Sequence, residues 1–263
     1  MNSNRHSMEQ FKKDLLALGV CEGDTIMMHS SFKALGGIEG GAEGIFCVLD
    51  ELLGENGTLI LPSFSYDTVN YNNPLFDVAD TPCCVGYLPE YFRTKIPGVV
   101  RSVHATHSCA IKGRLAKELC ADHELDLTPV GPNSPITKLP KYKGKILILG
   151  SHPDHNTALH GVEEKAEVPY LFNHDKPVHY ILKNGSCEIE QYALRHYFNR
   201  GSYGYLQCYG RIIPLLSEDE CRRGKVLDAE CYLLSASAVW EKGCDMLSKD
   251  PFYFVERIDY KSK

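Results

Sequence analysis

The sequence has no excess of basic residues, which argues against a nucleic-acid-binding protein. Its 28 lysines and arginines are outnumbered by 34 aspartates and glutamates, and the formal net charge is −6 at pH 7. No basic stripe is present that could neutralise the phosphates of a nucleic acid. A modest negative balance suits a cationic ligand, or serves only to keep the protein soluble. We therefore expect no nucleic-acid partner.

Long hydrophobic runs are also missing, so no membrane partner is expected. Nothing approaches the roughly 18 apolar residues that a membrane helix requires. The N-terminal stretch MNSNRHSMEQFKKDLLALGV is too polar for a secretory signal, because Lys12, Lys13 and Asp14 interrupt its apolar residues. These features predict a cytoplasmic protein.

The chain lacks any paired cysteine motif, although it contains 11 cysteines. Their number is odd, their spacing is scattered, and no CxxC occurs. In a reducing compartment such thiols mostly act as small apolar core residues. Neither a disulfide framework nor a cysteine zinc site is predicted.

What the sequence does contain is an alternation of helical and strand patterns. MEQFKKDLLAL reads as a helix capped by Ser7 and ended by Gly19. DTIMMHS, GTLILPSF and GKILILG read as buried strands, and IFCVLDELLG, YLPEYFRTK and GRLAKELCADH as helices. This pattern predicts a layered α/β fold.

The second half of the chain shows a more β-like pattern. PVHYILKNGSCEIEQYA predicts a hairpin with Asn184-Gly185 as its turn. The helical stretch SASAVWEKGCDMLSK then closes the chain. No linker interrupts the sequence, so we predict a single domain over residues 1–263 with a β-rich excursion in its C-terminal half.

Three predicted strands end in polar residues, and ligands gather beyond the carboxyl ends of strands in open α/β sheets. The stretch GSHPDHNTALHGVEE, residues 150–164, directly follows one of these strands. If its second half is helical, His160 and Glu164 share one face, which a metal site could use with His152 or His155. His160 and Glu163 could instead form a general-base pair, or the face could simply be solvated.

Two further polar clusters are candidates for ligand contacts. RSVHATHS, residues 101–108, combines hydroxyls, imidazoles and a guanidinium, which suits an anionic ligand such as phosphate. HSSFKALGGIEGG, residues 29–41, offers backbone N–H groups at a strand end, but it is neither a Walker loop nor GxGxxG. Each cluster by itself is equally consistent with a capped surface loop.

Taken together and in order, these segments resemble the antibiotic N-acetyltransferase family, whose best-known members are aminoglycoside 3-N-acetyltransferases. The resemblance runs from about Leu15 to the end of the chain. Six blocks carry it: MMHSSFKALGGIEGG with LLGENGTLILPSF, RSVHATHS, GPNSPITKL, ILILGSHPDHNTALHGVEE and GKVLDAECYLL.

The resemblance implies acetyl transfer from acetyl-coenzyme A to an amine of an aminoglycoside, and hence a role in antibiotic resistance. It implies an α/β/α sandwich with a β-rich portion, distinct from the common acetyltransferase fold. His160 and Glu163 match the family's active-site pair, so His160 would be the general base, oriented by Glu163. Oxyanion donors would be the Thr157 hydroxyl or backbone N–H groups near Ser30 and Ser31. No metal is expected.

The same resemblance implies how the ligands are bound. The predicted cofactor-binding residues come from the polar clusters at residues 29–41 and 101–108. They are Ser30, Ser31, Arg101, Ser102, His107 and Ser108. The predicted substrate-binding residues are carboxylates that could hold a polyamine: Asp154, Glu164 and Asp67. The small-molecule amine is the expected partner, and a homodimer is one candidate for the oligomeric state.

Some positions depart from the family pattern. Leu227 stands where the family commonly carries glycine, which predicts a different local backbone. Residues 63–85 and 194–212 match no block, and in this family those regions shape the acceptor pocket. The acceptor therefore stays open between an aminoglycoside and a biosynthetic amino sugar or other small amine. A metal-dependent hydrolase using His152, His155 and His160, or a binding protein without turnover, are the remaining alternatives.

Overall fold

The structure is a computed structural model that describes residues 5–199 and 201–260; the ends of the predicted 1–263 domain lie outside these ranges. No helix in the described residues is both long and apolar enough to cross a bilayer. The helices are α1 Met8–Leu18, α2 Gly41–Leu53, α3 Tyr87–Lys95, α4 Ala116–Cys120, α5 Pro135–Lys138, α6 Ala158–Lys165 and α7 Ala236–Lys249. The strands are β1 Thr25–Ser30, β2 Thr58–Pro62, β3 Leu75–Asp77, β4 Val100–Arg101, β5 Cys109–Gly113, β6 Lys145–Leu149, β7 Val178–Asn184, β8 Cys187–Ala193, β9 Tyr203–Gln207, β10 Cys221–Val226, β11 Ala229–Ser235 and β12 Val255–Asp259.

A seven-stranded mixed sheet forms the centre, in the order β10-β11-β6-β1-β2-β5-β4. Its three middle strands are parallel: Met27 of β1 lies opposite Ile146 of β6 on one side and Ile60 of β2 on the other. The outer strands pair antiparallel. The carboxyl ends of β6, β1 and β2 therefore meet at one edge of the sheet.

Helices cover both faces of this sheet, as the alternation of buried side chains along its strands requires. On one face Met27 packs into a core with residues of α5, α6 and α7. On the other face Ile26 and Met28 pack with residues of α1, α2 and α3. These three layers confirm the predicted α/β/α sandwich.

The β-rich excursion contains two small sheets, β3-β7-β8 and β12-β9. The predicted hairpin is present, but Asn184 pairs with Cys187, so its turn residues are Gly185 and Ser186. The prediction placed the turn one residue too early. The prediction that a helix closes the chain was also wrong, because β12 follows α7 and pairs with β9.

Leu227 lies in the two-residue turn between β10 and β11, where Val226 pairs with Ala229. Its φ is +53°, a left-handed conformation that leucine rarely adopts and glycine adopts freely. Its backbone N–H donates to Asp14 of α1 at 2.8 Å. The backbone thus takes, without a glycine, a conformation that glycine adopts freely, and the expected difference from the family's backbone stays a prediction.

Candidate functional site

A cavity of about 530 Å³ opens at the carboxyl ends of β1, β2 and β6. This size and position are typical of small-molecule sites in α/β proteins. Histidines and aromatic side chains dominate its wall. The lining residues are Met28, His29, Ser30, Pro62, Tyr66, Val85, Pro89, Thr106, His107, Ser151, Asp154, His155, Thr157, His160, Arg195, His196, Phe198, Gln207 and Tyr209.

His160 lies on the first turns of α6 and is connected to Glu163 through a tyrosine. Its Nδ1 is 2.7 Å from the hydroxyl of Tyr209 but 3.4 Å from Glu163 Oε2. The Tyr209 hydroxyl donates to Glu163 Oε2 at 2.6 Å. The closer contact of the imidazole is therefore with the Tyr209 hydroxyl. The carboxylate of Glu163 is connected to the imidazole through this hydroxyl.

Glu163 is fully buried, and two tyrosines hold its carboxylate. The Tyr170 hydroxyl donates to the other oxygen, Oε1, at 2.6 Å. Burial raises the pKa of Tyr209 and of Tyr170, so both hydroxyls keep their protons and act as donors. A buried carboxylate needs such donors to remain charged.

The proton arrangement of this group follows from simple counting. The Tyr209 hydroxyl has one proton, and an ionised Glu163 can only accept. If that proton is directed to Glu163, the hydroxyl oxygen accepts from Nδ1–H of His160. This leaves Nε2 of the neutral imidazole with its lone pair available, the form that a general base requires.

Close packing of α6 against α7 fixes the backbone beside His160. A Cβ on Gly161 would lie 2.8 Å from the Trp240 ring, and one on Gly243 would lie 2.8 Å from Val162. Larger residues at these two positions would force the helices apart. The two glycines thus set the position from which His160 reaches the cavity.

A second histidine–glutamate pair lies beside the first. His196 Nε2 is 2.8 Å from Glu164 Oε1, and both side chains are under one tenth exposed. Glu164 also accepts from the N–H of Val130, while its burial raises its pKa to about 7. Glu164 is not on the cavity wall, contrary to its predicted role as a substrate ligand, and it reaches a ligand only through His196.

Four buried polar atoms around the cavity have no hydrogen-bond partner within the described residues. They are the hydroxyls of Ser30, Ser151 and Thr157 and the Nε2 atom of His29. Burial lowers the pKa of His29 to about 3, so this ring is neutral. Because buried polar groups are normally paired, these atoms are candidates for ligand contacts.

The predicted cofactor residues fall into two groups. Ser30 and His107 line the cavity, as the prediction requires. Ser31 does not, and its backbone N–H donates to Leu149 at 3.0 Å, so it is not free for an oxyanion. The hydroxyl of Ser102 accepts from the N–H of Cys109 and contacts His123, which makes it part of the core.

Arg101 and Ser108 are also buried inside the protein, away from the cavity wall. The guanidinium donates to the Ser108 hydroxyl and to the carbonyl groups of Ser63 and Thr81. The Ser108 hydroxyl donates to Ser63 at 2.7 Å. Contrary to the prediction, Arg101 has no free face for a phosphate; it anchors the loop beside β4 and β5.

Few charged side chains line the cavity. Of the predicted acids, Asp154 lines it and accepts from the Gly210 N–H at 2.7 Å. Asp67 is exposed and does not line it. Among the lining residues within 5–199 and 201–260, Asp154 is the only carboxylate and Arg195 the only permanent cation.

The structure also tests which histidines could share a metal ion. Within the described ranges, the group of this kind is formed by His107, His160 and His196. His152 is largely exposed, with its ring 6.4 Å from that of His155. The set His152, His155 and His160 on which the hydrolase alternative depends is therefore not brought together.

Three side chains of the candidate site were not found from the sequence: Tyr209, Tyr170 and His196. Tyr209 and His196 lie in residues 194–212, which matched no block, and no local spacing connects them to α6. The one available signal was that this unmatched segment combines His, Arg, Tyr and Phe in a region expected to shape the acceptor pocket.

Comparisons with known proteins agree on one family. The family model described as Aminoglycoside 3-N-acetyltransferase matches residues 27–248. Aminoglycoside N(3)-acetyltransferase IX of Micromonospora chalcea is 30% identical over 257 residues, covering 88% of this chain and 89% of the relative. Aminoglycoside N(3)-acetyltransferase VII of Streptomyces paromomycinus is 35% identical over 174 residues, which cover 60% of each chain and so less than two thirds of that relative.

Two solved structures share the fold over nearly the whole chain. A histidine-to-alanine variant of aminoglycoside acetyltransferase AAC(3)-IVa, in complex with a gentamicin, has a TM-score of 0.80 at 28% identity and covers 97% of this chain and 93% of its own. AAC-IIIb in a binary complex with CoASH has a TM-score of 0.80 at 25% identity and covers 99% and 100%. The predicted fold type is thereby confirmed.

Proposed function

Because the chain belongs to the aminoglycoside 3-N-acetyltransferase family, we propose that it transfers an acetyl group from acetyl-coenzyme A to an amine of an aminoglycoside, at the 3-N position. His160 is the general base in this proposal. The observation that carries it is the group of His160, Tyr209 and Glu163, whose hydrogen bonds occupy Nδ1 of His160 and leave Nε2 of this cavity-lining residue as the acceptor.

The residues act in a defined order. Nε2 of His160 accepts a proton from the acceptor amine as its nitrogen attacks the thioester carbonyl carbon. Tyr209 and Glu163 stabilise the resulting imidazolium, because the carboxylate is buried at the far end of the hydrogen-bond chain. When the carbon–sulfur bond breaks, the imidazolium returns the proton to the coenzyme A thiolate. General-base catalysis of this type contributes about 10²–10⁴-fold.

The tetrahedral intermediate needs a donor for its oxyanion. The Thr157 hydroxyl supports this role, because Thr157 lines the cavity three residues before His160 and its hydroxyl has no hydrogen-bond partner among the described residues. The hydroxyls of Ser30 and Ser151 share both properties. We assign Thr157 as the oxyanion donor and Ser30, with His107, to the wall that faces the cofactor.

The proposal is tested by following thiol release from acetyl-coenzyme A with a panel of aminoglycosides, with and without a chelator. We expect release that depends on the drug, is unaffected by the chelator and falls by at least two orders of magnitude in His160→Ala. Thiol release that persists in His160→Ala at the wild-type rate would show that His160 is not the base.

A second acceptor class is favoured by the charges of the cavity. A polyamine would be held by several carboxylates, yet Asp154 is the only one on the wall, and Arg195 lies on the same wall. An amine that carries an anion of its own, such as an acidic or phosphorylated amino sugar, would pair with both charges. The same assay distinguishes the two classes: turnover with such an amino sugar and none with any aminoglycoside would move the acceptor to this class.

A further inference from the structure

Three histidines meet at the cavity wall although they come from separate parts of the chain. His107 lies in the loop before β5, His160 lies on α6, and His196 follows β8. One nitrogen of each ring lies within 4.8 Å of a nitrogen of each of the others. Their ring centroids are 4.7 to 5.8 Å apart.

One nitrogen of each ring has a hydrogen-bond partner among the neighbouring side chains. His160 Nδ1 contacts Tyr209, His196 Nε2 contacts Glu164, and His107 Nδ1 contacts Thr106 at 2.9 Å. Histidines that bind metals almost always have their second nitrogen held by a carboxylate, carbonyl or water; Glu164 is such a partner for His196, and hydroxyls take this place for His160 and His107. The partners fix the tautomer and leave one lone pair of each ring for an ion.

The surroundings of the rings also suit a metal ion. His107 and the side chain of His196 are less than one tenth exposed, and imidazole is the commonest protein ligand of metal ions. The buried carboxylate of Glu164, next to His196, would offset part of the charge of a bound cation.

The spacing is near that of an occupied site. Zinc–nitrogen bonds of about 2.0–2.1 Å in tetrahedral geometry place two ligand nitrogens about 3.3 Å apart, so each nitrogen has to move by less than about 1 Å. The three rings line an open cavity, which leaves room for this movement and for a water as fourth ligand.

From this geometry we propose that His107, His160 and His196 form a binding site for Zn²⁺ and related divalent transition metals, and that an ion bound there inhibits the enzyme. The ion takes the Nε2 lone pair with which His160 would accept a proton, and it occupies the place of the acceptor amine. The binding half of the proposal stands by itself, whereas the inhibitory half rests on the proposed function.

Binding is tested on protein without a histidine tag, first stripped of metal with a chelator. On titration with Co²⁺ we expect visible d–d absorption that saturates at one equivalent of the ion and is abolished by Zn²⁺. Calorimetry with Zn²⁺ should show a stoichiometry of one ion per chain. Glu164→Gln, which retains all three ligands and changes the partner of His196, should weaken binding about 10–100-fold, and His196→Gln and His107→Gln, which each remove a ligand, should weaken it more. His152→Gln is the matched control and should bind as the wild type does.

Inhibition is measured as thiol release at increasing Zn²⁺, relative to the metal-free rate of the same variant. We expect the wild type and His152→Gln to be inhibited at the concentration where they bind the ion, and His196→Gln to need at least tenfold more. A site lost equally in His152→Gln, no binding at millimolar Zn²⁺, or wild-type binding by His196→Gln and His107→Gln would overturn the site. Binding without inhibition, or activation by Zn²⁺, would overturn the inhibitory half. Co²⁺ binding that depends on His196, in a protein that acetylates nothing, would retain the site while the proposed function fails.

Discussion

Replacing Tyr209 by phenylalanine removes the hydroxyl that connects His160 to Glu163. Nδ1 of His160 would lose its acceptor at 2.7 Å and retain only the 3.4 Å contact with the carboxylate. Glu163, fully buried, would keep one tyrosine donor instead of two. The imidazolium that forms during the reaction would then be stabilised less than in the wild type.

The size of the effect follows from the kind of hydrogen bond that is lost. Hydrogen bonds to charged groups contribute about 1.5–3 kcal/mol. If this loss falls on the transition state, kcat should decrease about 10- to 150-fold, since each 1.4 kcal/mol corresponds to about tenfold in rate. Substrate affinities should change less, because the imidazolium forms only during the reaction.

Tyr170→Phe provides the matched control. It removes the other tyrosine donor to Glu163, at the same 2.6 Å distance, without touching His160. Both variants should lower the free energy of unfolding by about 1–3 kcal/mol, because each leaves a buried carboxylate short of one donor. The assay is steady-state thiol release with the best acceptor, paired with urea unfolding. Equal losses of kcat in the two variants would refute the reasoning, because the hydroxyl of Tyr209 would then matter only as a donor to the carboxylate.

Three further outcomes are expected. Thr157→Val should lower kcat about 10²–10³-fold with little change in the KM for acetyl-coenzyme A if Thr157 is the oxyanion donor, and an effect on KM alone would place it elsewhere. Ser108→Ala should lower the melting temperature and leave the KM for acetyl-coenzyme A unchanged, because the Ser108 hydroxyl is hydrogen-bonded to Ser63 and Arg101. A raised KM at an unchanged melting temperature would show that Ser108 belongs to the cofactor site. Burial lowers the pKa of His104 to about 4. Below about pH 6.5 the imidazole of His104 is therefore protonated in the unfolded chain and stays neutral in the folded protein. The contribution of His104 to the free energy of unfolding should decrease by about 3 kcal/mol between pH 6.5 and pH 4. Urea unfolding of wild type and His104→Asn across this range checks it, and identical pH dependences would contradict it.

Local patterns were enough to predict most of the sandwich. The helix over Met8–Leu18 begins at Ser7, whose hydroxyl accepts from the N–H of Gln10, and ends at Gly19 with φ +106°, as the sequence indicates. The predicted strands at Thr25–Ser30, Thr58–Pro62 and Lys145–Leu149 are all present. Capping and hydrophobic periodicity act over a few residues, so the sequence itself carries them.

The sequence was less informative where tertiary contacts override local preference. GRLAKELCADH was predicted to be helical throughout, but α4 contains only Ala116–Cys120. Arg101, Ser102 and Ser108 have residue types suited to phosphate, yet the fold uses them to satisfy buried carbonyls and a buried N–H. Polar side chains look the same in a sequence whether they face a ligand or the core.

For the candidate site, the sequence by itself determined the residues that lie close together along the chain. His160 and Glu163 are one helical turn apart, and their position directly after a buried strand placed them at the ligand-binding edge of the sheet. Only the tertiary structure brought Tyr209, 46 residues beyond Glu163, and also His107 and His196 next to His160. A helix fixes neighbours within a turn, whereas contacts between distant segments depend on how the whole core packs, and one sequence shows no direct sign of them.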